Sequence, residues 1–223
     1  MAGRLESLDA NEGLERRRHR HWYDRLMMLC DGVFAIAITL LGIDVSAPAG
    51  WKGDAGSLWP HLAVQLDAYA TSFLVISIFW LAHRRFMAMI LTVDAPVTVL
   101  TLVLLGLIAL VPAATRLVSA YGTIATARMA YGGLIVAIGL VISALWAYAG
   151  LIARVVPREV GWRLRWFFLI LMVATPPFFL LLVFSLSTYR PGVVPGLLAM
   201  LFLIGWRMRL WAVRRMGGKP YMA

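Results

Sequence analysis

The side chains able to do chemistry in this chain are few, and they sit near the ends of apolar runs. Past an arginine-rich N-terminal stretch the acidic residues are Asp31, Asp44, Asp54, Asp67, Asp94 and Glu159. No His-x-x-x-His pair, no G-x-S-x-G elbow and no glycine-rich phosphate loop is present, so the usual settings for metal, nucleophilic and phosphoryl chemistry are missing. His19 and His21 fall in a polar tail read as flexible, which would not fix a metal ion in place. The lone Cys30 excludes an intrachain disulfide and a cysteine zinc site, and it is expected to pack as a small polarizable residue. An enzyme is not expected, nor is a cofactor or a fixed metal site. Asp31 is the most informative group, because an uncharged run follows it and its side chain is too short to reach far toward water. Arg25 or His83 would neutralise it. A polar knot of Arg25, Asp31, Trp80 and His83 tying helices one and two together at one membrane face is the structural expectation. The same Asp31 and His83 would also serve a proton-coupled or small-solute carrier.

The elements that hold these residues are membrane spans. Of 223 residues, 61% are hydrophobic and only 14% charged, with a mean hydropathy of +0.81. A soluble domain is near 45–50% apolar, so this is an all-α polytopic membrane protein. Its net charge of +10 does not point to nucleic acid, because the basic residues lie in short clusters between apolar runs. The first apolar run is too long for the core of a signal peptide and lacks a convincing cleavage site, so it is expected to stay in the mature protein. Residues 1–24 are read as a basic cytoplasmic tail able to lie on anionic headgroups, 25–212 as one six-helix transmembrane domain, and 213–223 as a cytoplasmic tail.

Helix one is expected at 25–45, a glycine-rich loop from Pro48 to Pro60, and helix two from His61 to Ile90. Helix three begins near Pro96, a favoured first-turn position, and runs to Val118 with Pro112 as a kink. Helix four is expected from Arg128 to Val156, with Ala130, Gly133 and Ala137 letting a neighbour come close. Helix five spans Leu164 to Ser187, interrupted at Pro176-Pro177, and helix six Val193 to Trp211. With six spans both termini share a side. Seventeen of the basic residues fall on that side and four (Lys52, Arg116, Arg128 and Arg190) on the other, which makes the termini cytoplasmic.

Helix one carries a pattern of its own. At ~100° per residue, Leu29, Gly32, Ile36, Leu40, Ile43 and Ala47 share one uncharged stripe with Thr39 at its margin. Spacing alone fits a helix packed on its neighbours, or one lining something narrow. A Thr-Val-Gly-Tyr-Gly filter is absent, as are arginines at every third position. The middle thirds of helices three, four and five hold no ionisable residue.

Arg25-x-x-x-Leu29-Cys30-Asp31-Gly32-Val33-Phe34-Ala35-Ile36-Ala37-Ile38-Thr39-Leu40-Leu41 resembles the first-helix signature of the endolysosomal potassium channel family (transmembrane protein 175) and its bacterial relatives. That pattern is an Arg, three residues, then Phe-Ser-Asp, so Leu29 and Cys30 are departures. Tyr69-x-x-Ser72-Phe73, then Trp80-x-x-His83 and Phe86, is similar to the family's second helix. The resemblance implies a homotetramer in a bacterial inner membrane, with helix one lining a central pore and no carbonyl filter. It implies that Ile36 forms the narrowest ring, with Leu40 and Ile43 one and two turns outward. Thr39 would present a hydroxyl beside the constriction, and Asp44 would gather cations at the outer mouth. Potassium, and other monovalent cations, would then be what passes, with lipid and further copies of the chain as the only partners.

Overall fold

The computed structural model describes residues 2–88, 90 and 93–149, with side chains from His21 onward. Helices five and six and the C-terminal tail expected from the sequence lie outside the described residues. Within them the chain forms α1 (Ala2–Ile43), α2 (Ala55–Ala88), α3 (Ala95–Tyr121) and α4 (Ala125–Ala147). Each holds a stretch long and apolar enough to cross a bilayer; in α1 it is His21–Ile43.

Two helix starts differ most from expectation. The polar N-terminal segment is not a flexible tail but helix, continuous from Ala2 into the apolar span. It is rich in Leu, Glu and Arg, all good helix formers, and the first proline is Pro48. The expected Pro48–Pro60 loop is shorter, because α2 starts at Ala55 and takes Pro60 inside it. Asp54 supplies the start signal. Its carboxylate accepts from the backbone N–H of Gly56 at 3.2 Å and of Ser57 at 2.9 Å, two donors that the first turn of a helix leaves unpaired. What remains of the loop is a tight reversal in which Gly50 and Gly53 take positive φ of 75° and 91°, values an L side chain resists.

Side-chain contacts set the directions of the helices. Asp31 of α1 reaches Trp80 near the far end of α2, so α1 and α2 are antiparallel. Asp44, just past α1, meets Arg116 late in α3, so α1 and α3 run the same way. Asp94 caps the start of α3 by accepting from Val97 N–H at 3.0 Å, and its second oxygen accepts from the Tyr148 hydroxyl, just past α4, at 2.6 Å. This is an up-and-down bundle in which α3 packs against each of the other three helices.

The core holds one polar thread. Thr115 of α3 lies 2.7 Å from Ser72 Oγ of α2, which lies 3.0 Å from the Tyr131 hydroxyl of α4, and all three residues are buried. Thr115 Oγ also bonds back to the Val111 carbonyl at 2.8 Å, beside Pro112, whose ring nitrogen cannot donate to the turn before it. Three apolar helices are thus pinned at one height by groups that would be costly to bury alone.

Two outcomes follow from these contacts. Ser72→Ala strands the Tyr131 hydroxyl in the core and should cost between about 1 and 3 kcal/mol, lowering the thermal midpoint in detergent, while Ser72→Ala with Tyr131→Phe recovers part of the loss. The two backbone donors, Gly56 first and then Ser57, hold the Asp54 carboxyl below the usual carboxylate range. A folded-state value below the unfolded one adds stability above the ordinary range and loses it as pH falls through the lowered value. The protection factors of the Gly56 and Ser57 amides, taken against intrinsic exchange at each pH, should therefore fall on acidification, and Asp54→Asn, which keeps an acceptor, should flatten that pH dependence.

Candidate functional site

α1 is buried on one ridge only. Leu26, Cys30, Phe34, Ala37 and Leu41 are all buried, recurring every three or four residues, the spacing of one helical face. About 120° around the helix, Leu29, Ile36, Leu40 and Ile43 stand open, Ile36 at 60% and Ile43 at 70% exposure. A Cβ added to Gly32 would meet nothing within 4 Å. Among the described residues the ridge takes the neighbouring helices, and the stripe stays open.

Thr39, exposed at the stripe's margin, donates its hydroxyl to the Ile36 carbonyl at 2.9 Å. The proton is used within the helix, and the oxygen keeps its acceptor capacity toward whatever fills the space beside it.

The polar residues of α1 sit on the flanks of the buried ridge. On one flank Trp80 Nε1 donates to Asp31 Oδ1 at 2.8 Å. The Arg84 guanidinium lies over the Trp80 ring, 5.2 Å from its centroid, a cation–π distance that adds positive charge behind the donor. His83 is buried with its ring 6.2 Å from Phe34, and its Nε2 has no hydrogen-bond partner among the described residues. Arg25 is exposed, and no contact joins it to this group among the described residues. The structure thus brings Asp31, Trp80 and His83 to one end of α1 and α2, leaves Arg25 outside, and brings in Arg84, which follows Trp80 by one helical turn. That four-residue spacing was the available signal.

On the other flank Asp44, with 22% of its side chain exposed, is held by Arg116 through Nε at 2.9 Å and through Nη2. Sequence reasoning counted Arg116 only among the basic residues of one membrane side. The signal was available: it is the sole cation in an otherwise uncharged helix, at the same height as Asp44 in any up-and-down arrangement.

Residues 25–112 match the family model described as endosomal/lysosomal potassium channel TMEM175. This segment is the part of the chain that is similar to that family. It covers the apolar span of α1, all of α2 and most of α3, and so the stripe and Asp31 with its partners. A potassium channel of Streptomyces collinus is 41% identical over 101 residues, 44% of this chain and 48% of that one. A potassium channel of Chamaesiphon minutus is 33% identical over 122 residues, 50% of this chain and 58% of that one. The chain thus spans about half the length of the curated relatives it matches. The crystal structure of a lysosomal potassium-selective channel TMEM175 homolog from Chamaesiphon minutus superposes with a TM-score of 0.59 at 25% identity, covering 85% of this chain and 98% of that one. The all-helical arrangement agrees with that channel fold.

Removing the indole donor should separate anchoring from packing. Trp80→Phe keeps an aromatic ring between the helices but strips Asp31 of its hydrogen bond, and because Asp31 is exposed the loss should be about 1 kcal/mol, read as a lower thermal midpoint in detergent. Asp31→Asn, which still accepts from the indole, should lose less.

Proposed function

We propose that this chain is a subunit of a potassium-preferring cation channel in which α1 of each copy lines a central pore. The observation that carries the reading is the bare apolar stripe on α1, lying within the segment that matches the TMEM175 family. Potassium comes from the relatives, whose names call them potassium channels, and bacterial inner-membrane placement from their source and the arginine asymmetry. Both termini are cytoplasmic and the assembly is a homotetramer. Ile36 forms the narrowest ring, Leu40 and Ile43 widen outward from it, and Thr39 offers a hydroxyl oxygen at its edge. Asp44 stands at the outer end.

Such a collar selects by dehydration. Aliphatic side chains offer no oxygen in place of lost hydration water, so an ion must shed part of its shell. Potassium holds its shell less tightly than sodium and is favoured, within limits. The same ring can dewet and stop conduction. Asp31, held by Trp80, and buried His83 act as anchors here rather than as transported-proton sites.

Full-length protein in planar bilayers should give discrete unitary currents well above carrier turnover; smooth, slow flux would favour the carrier that uses Asp31 and His83. Ile36→Asn should hydrate the constriction and move the bi-ionic potassium/sodium reversal potential toward zero by roughly 10–30 mV, a severalfold loss of discrimination. An unchanged reversal potential would remove Ile36 from the narrow ring.

A further inference from the structure

The outer end of α1 carries a charge arrangement that the pore reading alone does not require. Asp44 lies on the flank of α1 that faces α3, and Arg116 of α3 covers it with two N–H donors on one carboxylate oxygen, Oδ1. The pair lines a shallow recess of mixed character, with Gln65 and Ser119 beside Leu41, Val45 and Ala68. Arg116 itself is 70% exposed, so its charge faces the aqueous side rather than the core. Of the other described charges of this side, Asp54 caps α2 and Arg128 donates to the Gly122 carbonyl at the turn between α3 and α4, while Lys52 stands exposed in the loop between α1 and α2.

We infer that Arg116 sets the electrostatic potential of the outer mouth by compensating Asp44, so that this carboxylate does not concentrate cations while the pair is intact. The inference rests on the pore reading and assigns Arg116 a part in ion permeation. An exposed ion pair adds little stability, and its net charge is zero. Removing either partner exposes a ring of uncompensated like charge, repeated in every copy around the axis. The two single variants must then act in opposite directions. Arg116→Gln leaves a negative ring and enriches cations; Asp44→Asn leaves a positive ring and depletes them. The double variant restores neutrality.

The test is single-channel conductance of the full-length protein in symmetrical KCl at about 10 mM and about 1 M, salt levels at which screening lengths are roughly 30 Å and 3 Å. At low salt Arg116→Gln should raise conductance about threefold, the enrichment given by roughly one RT of added negative potential. Asp44→Asn should lower it by a similar factor, and the double variant should return to the wild-type value. At high salt all should coincide. A pair that acts only as a mechanical latch would move both single variants the same way and keep the change at high salt, and that result would overturn the inference while leaving the pore. Either single variant decides the sign if the other fails to assemble. An absence of unitary current from the wild-type protein would overturn the pore reading and this inference together.

Discussion

A membrane-spanning helix gripped by its described neighbours along one ridge must have its bare apolar face met by something else. For α1 the ridge is Leu26, Cys30, Phe34, Ala37 and Leu41, and the bare face is the stripe through Ile36. Lipid, another protein surface and a dewetted pore would all accept it, because each spares water an ordered shell around aliphatic carbon. α3 and α4 also leave apolar side chains open, among them Leu110 and Leu140, so exposure alone does not separate a pore face from a lipid face. Leu110 lies within the matched segment as the α1 stripe does, so the match does not separate them either; the α1 stripe differs in carrying Thr39 at its margin. Gly32 adds room, since nothing lies within 4 Å of where its Cβ would be.

The grip on α1 has two parts with different physics. Ridge packing is non-directional and resists separation from the bundle, yet smooth aliphatic contacts do little to stop a helix from sliding or turning. The polar contacts supply direction. Asp31 to Trp80 ties one end of the apolar span to α2, and Asp44 to Arg116 ties the other to α3, on opposite flanks of the ridge. α3 is held in turn by Asp94 to Tyr148 at one end and by Thr115 to Ser72 and Tyr131 toward the other. Each of the other described helices is thereby referred to α3, so α1 cannot rotate about its axis without breaking a named hydrogen bond.

Much of this was legible in the sequence because it depends on local periodicity. The stripe follows from spacing, and the start of α3 from Asp94 and Pro96. The choice between packed and bare faces was not legible: a wheel shows which residues share a side, while burial depends on where α2 and α3 dock. Tyr131 was missed because a tyrosine in an apolar run reads as packing until its hydroxyl is placed beside Ser72. The start of α2 was misjudged because proline and glycine weigh heavily as breakers, whereas Asp54 had already ordered the first turn before Pro60 is reached. Arg25 was drawn into the knot by sequence proximity to Asp31, but six residues along a helix set the two ~120° apart, and Arg84 took the place beside Trp80 instead.

The proposed constriction, having no oxygens, would place its selectivity in width, and that width would be decided away from the ring. Ile36 lies five residues after Asp31 and eight before Asp44, about 7 Å and 12 Å along the axis at 1.5 Å per residue. A rigid helix fixed at both points transmits a small lateral shift of either end to the ring in proportion to those distances. Because the fixed points are unequal distances away, the nearer anchor at Asp31 governs the ring more strongly than the outer pair does. An aliphatic collar would have no polar contact by which to correct such a shift, since in the proposed assembly Ile36 would meet its counterparts only through short-range dispersion that decays within an ångström or so of contact. In the proposed pore, the hydrogen bond from Trp80 to Asp31 would therefore bear on how much water an ion keeps as it passes Ile36, although neither residue lies on the stripe.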